Sequence, residues 1–507
     1  MNRALNRRDF LKMAGLASLG LLIPPSIQKI GEQFQDKKKN VLMIVFDALT
    51  AYNVSLYGYG RDTMPNLSKL AKRATVFHNH FSSGNYTTPS TASLLTGTLP
   101  WTHRAIRLNA TVKQDLANKS IFHALDDYYR FTYSHNPLVN TFFNQFANSI
   151  NDYIPLQKMF LFDEDLIRKL FKNDEDIATV AWSRAMERAE GYSYSLFTTG
   201  LYKNYHKRRI ADISRQYPYG LPYIYTDNYY VLDQGINYFG NTIPNMPKPF
   251  FGYIHFFPPH YPFKPRQEFA GTFSNDSFKP IVKPNDIFSD DKSDDFLARS
   301  RSYYDEYILN VDYEFGRLFE MLQNSGILED TWLIFTSDHG EMFERGIWMH
   351  STPTLYQPVI RVPLLIFEPG VTVGRDIYDP TTTIDLMPTL LHLTGHSIPE
   401  WAEGAILPPY ADVTNPNQQE RIFSVQAKFN EPNYPLTEVS IAHIRDNYKL
   451  IYYLGYNEIM EGEYFQLFDI KADPEELNDL SQIKRDTTLE LLNIVKTRLK
   501  EANEPYM

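Results

Sequence analysis

The 507-residue chain contains no cysteine. That excludes disulfides, thiolate-held metals and a cysteine nucleophile, and it removes the usual indicator of redox compartment. Positive charge is also short: 50 Lys and Arg stand against 60 Asp and Glu, a formal net charge of −10. This balance argues against nucleic acid or an anionic membrane surface as the main partner. A small anionic substrate is not excluded, because a metal or a few local cations reverse the field inside a cleft. Internal repeats and low-complexity segments are missing as well. What is present is ordinary globular material, 43% hydrophobic and 22% charged, enough for one large domain and a smaller one. The 35 Tyr and 34 Phe belong mostly to the core, with a fraction left to line a surface that takes sugar or lipid.

The address is read from the N-terminus. Asn6-Arg7-Arg8-Asp9-Phe10-Leu11-Lys12 resembles a bacterial twin-arginine export signal, and the apolar run Met13–Ile23 that follows is too short for a comfortable membrane span. Residues 1–30 are therefore expected to be an export leader, with the mature fold starting near Asn40. No clear small-x-small cleavage site precedes Pro24-Pro25, so a periplasmic, an extracellular and a membrane-anchored product all stay open.

Asn40–Asp47 (NVLMIVFD) is a continuous apolar run ending in an acid, the pattern of a buried parallel strand. Parallel sheets place their sites at the carboxyl ends of strands, which is where Asp47 is delivered; a plain buried aspartate is the alternative. Met64–Lys72 reads as a helix, Thr75–Phe81 as a strand, and another strand lies near Arg130–Ser134. Asn85–Gly97 (NYTTPSTASLLTG) reads as a turn opening a helix, with Pro89 in the first turn. Its Thr87 hydroxyl is either a helix cap or an anion-binding nucleophile at a positively polarised terminus. Residues 140–240 are irregular, helical and Tyr-rich, expected as an insertion over the site or a structural elaboration. Pro249–Phe257 is a strand running into Pro259-His260-Tyr261-Pro262. Ser300–Ser325 has helical periodicity closed by Gly326, and Thr331–Thr336 is a strand feeding Ser337-Asp338-His339-Gly340-Glu341. Arg361–Phe367 follows as a strand and Thr383–Leu393 as a short helix. Beyond residue 396 come three antiparallel strands, Ile422–Val425, Ser440–Arg445 and Lys449–Leu454, and a final helix Thr487–Lys500.

Three strand ends thus offer Asp47, the Thr87 turn and Asp338-His339. Carboxylate, imidazole and hydroxyl are hard or borderline ligands, suited to one divalent cation: Ca, Mn, Mg or Zn. A metal beside Thr87 would lower the pKa of its hydroxyl and make it a nucleophile. On spacing alone, scattered strand-end acids explain the same residues.

These motifs, in this order, resemble the sulfatase-like branch of the alkaline phosphatase superfamily. Asn40–Asp47, Tyr57-Gly58-Tyr59 and Met64-Pro65-Asn66-Leu67 resemble its first strand and helix. Thr87-Thr88-Pro89-Ser90, running to Leu95-Thr96-Gly97, resembles its nucleophile motif, and Phe335–Glu341 its second metal motif. Val362-Pro363-Leu364-Leu365 and Asp473-Pro474-Glu475-Glu476 with Asn478-Asp479-Leu480 resemble the next strand and the C-terminal subdomain. The resemblance implies an α/β fold. Its architecture would be an alkaline-phosphatase-like α/β/α sandwich, with a mostly parallel central sheet and a smaller α+β C-terminal subdomain. The catalytic domain would span 40–395, with the insertion at about 140–240, and the subdomain 396–507. It also implies that Asp47, Asp338 and His339 hold the metal, that Thr87 is ligand and nucleophile, and that His260 and His350 are active-site histidines. Both histidines have a structural role as the alternative. His255, on a strand, is expected to be core.

The departures matter as much. Sulfatases of this branch carry a cysteine or serine, converted to formylglycine, where Thr87 stands, an arginine at Thr91, and commonly a second aspartate at Ala48. A formylglycine sheds sulfate by collapsing to an aldehyde; a threonine ester needs a second attack at the central atom, routine for phosphorus and difficult for a sulfate ester. Threonine here resembles the phospho-transferring members, lipoteichoic acid synthases and phosphoethanolamine transferases. The expected function is metal-dependent cleavage or transfer of phosphate esters, phosphodiester or phosphonate in type, through a covalent threonine intermediate. The substrate would be a small-molecule or glycan- or lipid-linked anionic ester. Sulfate-ester hydrolysis and a non-catalytic glycan- or lipid-binding role are the rivals.

Overall fold

The computed structural model describes residues 38–161, 201, 204–205, 208–224, 228–411 and 418–507. The export leader and most of the middle of the expected insertion lie outside the described residues. Among those described, no helix is long and apolar enough to cross a membrane.

Asn40–Phe46 (β1) sits inside an eight-stranded sheet with all seven residues buried. Its side chains alternate between two cores, Leu42, Ile44 and Phe46 in one and Val41, Met43 and Val45 in the other. A strand covered on both faces needs apolar residues at every position, which is why this segment shows no period of two. The remaining strands are Thr75–Phe77 (β2), Tyr129–Ser134 (β3), Asp152–Tyr153 (β4), Phe250–Phe256 (β5), Thr331–Thr336 (β6), Leu364–Phe367 (β7) and Arg375–Ile377 (β8). They lie in the order β8-β2-β7-β6-β1-β5-β3-β4. β1 pairs in parallel with both β5 and β6, Ile44 lying opposite Ile254 and Phe335. β3 joins β5 in parallel and β4 joins β3 likewise. Only β7 runs antiparallel to its neighbours, β6 and β2.

Helices cover both faces. Thr87–Thr96 (α1), Pro137–Gln145 (α2), Leu232–Thr242 (α3), Asp294–Asn324 (α4) and Leu386–Leu393 (α5) follow in chain order. α3 and α4 pack on the Leu42 face through Ile236, Phe239, Ile308, Val311 and Phe315. α1, α2 and α5 pack on the other through Leu94, Leu95, Phe142 and Leu390. Each such fully buried side chain contributes about 1.5–3 kcal/mol. The result is a three-layer α/β/α sandwich with a mostly parallel sheet.

The C-terminal part forms a second, antiparallel sheet of Phe423–Gln426 (β9), Val439–Arg445 (β10), Tyr448–Leu454 (β11) and Glu463–Asp469 (β12), in that order. The helix Arg485–Asn503 (α6) lies on it, and Leu491, Val495, Ile441 and Leu450 share a core with Leu99, Trp101 and Ile384 of the larger layer.

Several elements differ from the sequence expectation for physical reasons. Arg361–Phe367 becomes strand only from Leu364, because Pro363 has no N–H to give to the ladder. α4 begins at Asp294, where the Ser293 side chain accepts from the Phe296 N–H at 3.4 Å; its first turn is polar and carries no apolar period. Thr75–Phe81 breaks into β2 and a two-residue strand, His80–Phe81. β12 carries no clear strand period in the sequence, because EYFQLFD lies at a sheet edge and is only partly buried. Within 140–240, β4 adds an edge strand to the main sheet and α3 belongs to its core, so regular structure reaches further into this stretch than its composition suggests.

Candidate active site and metal centre

The parallel strands deliver their polar residues to one edge. Asp47 follows β1 directly and its N–H continues the pairing to Phe256 O at 2.9 Å. Asp338 and His339 follow β6, Asn136 follows β3, and His255 is the penultimate residue of β5. This is the carboxyl end of the sheet, where backbone pairing stops and side chains are free to converge.

The N-terminus of α1 meets them there. Its N-cap is Tyr86, in an extended conformation with no side-chain cap, so Thr87 is the first helical residue and its hydroxyl does not cap. That hydroxyl instead lies 3.4 Å from His339 Nε2 and accepts from Asn136 Nδ2 at 3.3 Å. Gly97 ends the helix at φ 66°, a left-handed conformation that favours glycine.

Asp47, Asp338 and His339 are wholly buried and each presents one ligand atom within 4.8 Å of the others. His339 Nε2 is 3.4 Å from Asp47 Oδ1 and 3.6 Å from Asp338 Oδ2. Both of those carboxylate oxygens are buried without a hydrogen-bond donor. Asp338 Oδ1, in contrast, is held by the N–H groups of Ala48 and His339 at 3.2 and 2.9 Å. Two unpaired carboxylate oxygens aimed at one point are costly without a cation. His339 Nδ1 lies 2.9 Å from Gly340 O; a carbonyl only accepts, so Nδ1 carries the proton and Nε2 presents its lone pair to the carboxylates when the ring is neutral. The donor set fits a divalent cation: Ca, Mg, Mn or Zn.

The charges of the trio act on one another. Burial alone would raise the Asp47 carboxyl, but His255 and His339 outweigh it and hold it well below the usual range. Asp338 is pushed up, by burial and then by the charge of Asp47. Burial would depress His339, yet the two carboxylates lift it to about 9.

His260 and His350 complete the constellation, with ring centroids 5.1 Å apart; His350 is 4.3 Å from His339. His260 Nδ1 meets Tyr261 O at 2.7 Å and so carries its proton, leaving Nε2 a free acceptor. Burial holds both rings below the ordinary histidine range, His350 down to about 3. His350 Nδ1 pairs with Glu341 Oε1 at 2.9 Å, and burial pushes the Glu341 carboxyl up to about 8. With Thr87, these histidines line a pocket of about 600 Å³ whose walls include Tyr86, Phe257 and Trp348.

All six residues singled out in the sequence therefore meet at one place. Three others were not foreseen there. His255, expected as core, is buried on β5, but its Nε2 faces Asp47 Oδ2 at 3.3 Å and Asp338 Oδ2 at 3.8 Å. Asn136 donates to Asp47 Oδ2 at 2.5 Å while its Oδ1 caps α2 through the Leu138 N–H. Asn before Pro137 was a legible N-cap signal. The third is Lys428, brought to the pocket by the C-terminal sheet.

Comparison with known proteins identifies the family. The family model described as Sulfatase matches residues 39–396, and one described as N-sulphoglucosamine sulphohydrolase, C-terminal, matches residues 347–504. The chain is similar to a choline-sulfatase of Rhizobium meliloti, 26% identical over 477 residues that cover 88% of this chain and 83% of the relative. An ulvan-active sulfatase of Formosa agariphila is 24% identical over 480 residues, covering 90% and 79%. Among solved structures, the phosphonate monoester hydrolase of Agrobacterium radiobacter superposes with a TM-score of 0.66 at 19% identity, covering 92% of this chain and 96% of the other.

Proposed function

This chain belongs to the sulfatase family, and on that premise we propose that it cleaves or transfers phosphate esters, phosphodiester or phosphonate in type, with Thr87 as the nucleophile. The observation that carries the reading is the Thr87 hydroxyl: buried, uncapped, at a helix N-terminus, and held between Asn136 and His339 beside Asp47. A divalent cation held by Asp47, Asp338 and His339 would supply the Lewis acidity that lowers the pKa of this hydroxyl and offsets charge on the ester.

In the first half-reaction Thr87 Oγ1 bonds to phosphorus and the bond to the leaving oxygen breaks. The free Nε2 of His260 takes the hydroxyl proton and returns it to that oxygen, so the alcohol departs neutral. The N–H groups at the start of α1 bind the charge that develops on the non-bridging oxygens. In the second half-reaction the oxygen of water or of an acceptor alcohol bonds to phosphorus, the P–Oγ1 bond breaks, and the proton passes through His260 to Thr87. Glu341, whose carboxyl burial keeps protonated, donates to His350 Nδ1, which leaves the Nε2–H of the neutral ring to donate a hydrogen bond to the anion without adding charge.

Phosphorus is favoured because a threonine ester is released only by a second attack at the central atom. The test is a substrate panel of aryl phosphodiester, phosphonate monoester, phosphomonoester and sulfate ester, run on the wild type and Thr87→Ala. Turnover of the first two, lost in the variant, is expected; full activity in Thr87→Ala ends the proposal. Sulfate-ester hydrolysis is the second reading, favoured by the curated relatives, which carry sulfatase names; a dominant sulfate-ester activity would select it. Export through the Arg7-Arg8 leader is part of the proposal and is checked by fractionation after Arg7→Lys/Arg8→Lys.

A further inference from the structure

Among the described residues, the pocket over Thr87 is lined by one lysine, Lys428, and by no arginine. His260 and His350 are the other basic groups lining it. Lys428 does not come from the catalytic layer. It stands on the turn after β9, whose geometry is fixed from beneath by Asn430. The Asn430 N–H and Nδ2 both donate to Ala427 O, at 3.1 and 3.0 Å, and its Oδ1 accepts from the N–H groups of Thr437 and Glu438 at 2.8 and 3.1 Å.

The ammonium has no carboxylate partner among the described residues; its recorded contact is with the Tyr86 ring, 5.7 Å from the centroid. A half-buried lysine usually pairs with an acid, and burial without one disfavours its charge, which is the direction its pKa takes. Tyr86 is the residue before Thr87, so the cation projects over the wall next to the nucleophile rather than into the carboxylate trio. Apolar surface flanks it at the mouth: Leu108 lines the pocket with 51% of its surface exposed, and Phe429, next to Lys428, is 64% exposed. Asp290 also lines the pocket, from an exposed loop, and no ion pair joins it to Lys428.

We propose that Lys428 is a specificity residue that binds a second anionic group on the substrate, carried by the part of the molecule beyond the ester, with Tyr86 and Leu108 packing against the intervening ring. The substrate class is then an ester of an acidic ring compound, such as an acidic sugar, rather than of a neutral alcohol. This rests on the reading of the Thr87 pocket as the ester site. The occupant's anion is a carboxylate, sulfate or phosphate; all three are drawn by the same ammonium.

The test uses binding, so it does not depend on turnover. The full metal-loaded protein is titrated calorimetrically with phenylphosphonate, 4-carboxyphenylphosphonate and 4-sulfophenylphosphonate, alongside Lys428→Met and Lys428→Arg. The expected result is at least tenfold tighter binding of the doubly functionalised ligands by the wild type. That preference should vanish in Lys428→Met and return at least in part in Lys428→Arg, with the melting temperature of each variant unchanged. The larger of the two preferences identifies the anion. Equal binding of all three ligands by the wild type, or a preference that survives Lys428→Met, overturns the role of Lys428 and leaves the ester site standing. Failure of every ligand to bind overturns the ester site itself, and the role of Lys428 falls with it.

Discussion

His255 Nε2 lies 3.3 Å from Asp47 Oδ2 and 3.8 Å from Asp338 Oδ2, with all three side chains out of contact with solvent. Its other nitrogen meets Tyr253 Oη at 3.2 Å, so the ring is held from both sides beneath the two carboxylates. The family's usual second acid is absent at Ala48, and the imidazole supports the remaining pair from the neighbouring strand. Replacing it with an apolar ring leaves Asp47 Oδ2 with Asn136 alone. His255→Phe is expected to cost about 1–3 kcal/mol of stability in metal-free protein. Denaturant unfolding with and without added metal measures this, and the loss should shrink when the cation is present.

Metal removal gives a second prediction. Asp47 Oδ1 and Asp338 Oδ2 accept no hydrogen bond and face one another across a site whose donors suit a cation; on the proposed reading the purified protein contains a divalent ion and loses thermal stability on chelation. A ligand at one hundred times its dissociation constant adds about 2.7 kcal/mol. Asp338→Asn should abolish both the bound ion, by elemental analysis, and the chelator response.

Much of this was legible in the chain. β1 and β6 could be placed because buried parallel strands leave unbroken apolar runs, and the acid after each marks the sheet edge. Asp47, Thr87, Asp338 and His339 followed from those strand ends and from the motifs around them. His255 was not legible because a histidine between Ile254 and Phe256 on a buried strand has the sequence appearance of core; only the pairing of β5 against β1 points it at Asp47. Lys428 was not legible either. A surface lysine after a strand carries no local signal, and its place is set by how the C-terminal sheet packs across Leu99 and Trp101.

Gly340 tests the rigidity of the metal loop. A Cβ there would lie 2.1 Å from Pro358 O and 2.9 Å from Thr50 Cβ, and the first of these is backbone that yields only if the loop moves. Gly340→Ala is expected to cost about 1–3 kcal/mol in stability and to weaken metal binding by displacing His339, read by melting and by metal titration. Unchanged values for both would show that the loop is not held as tightly as this contact requires.

Asp385 supplies a pH dependence away from the site. It is wholly buried, accepts from the N–H groups of Thr382 and Ala405 at 3.0 and 2.8 Å, and burial pushes its carboxyl up to about 6 from 3.8. The folded protein thus keeps this proton at a pH where the unfolded chain releases it. The contribution is full below about pH 4, is lost as pH rises through about 6, and is flat above that. At about 1.4 kcal/mol per pKa unit the change is about 3 kcal/mol. The stability difference between wild type and Asp385→Asn, followed by urea unfolding from pH 4 to 7, should move against the wild type by about this amount.

The central claim is that Thr87 carries the phosphoryl group. The most direct measurement is intact-protein and peptide mass after rapid acid quench of the enzyme turning over an aryl phosphodiester or phosphonate ester. An adduct of one phosphoryl or phosphonyl group on the peptide containing Thr87, absent in Thr87→Ala, is the predicted result. Turnover with no adduct at any quench time, or an adduct that persists in Thr87→Ala, would contradict it.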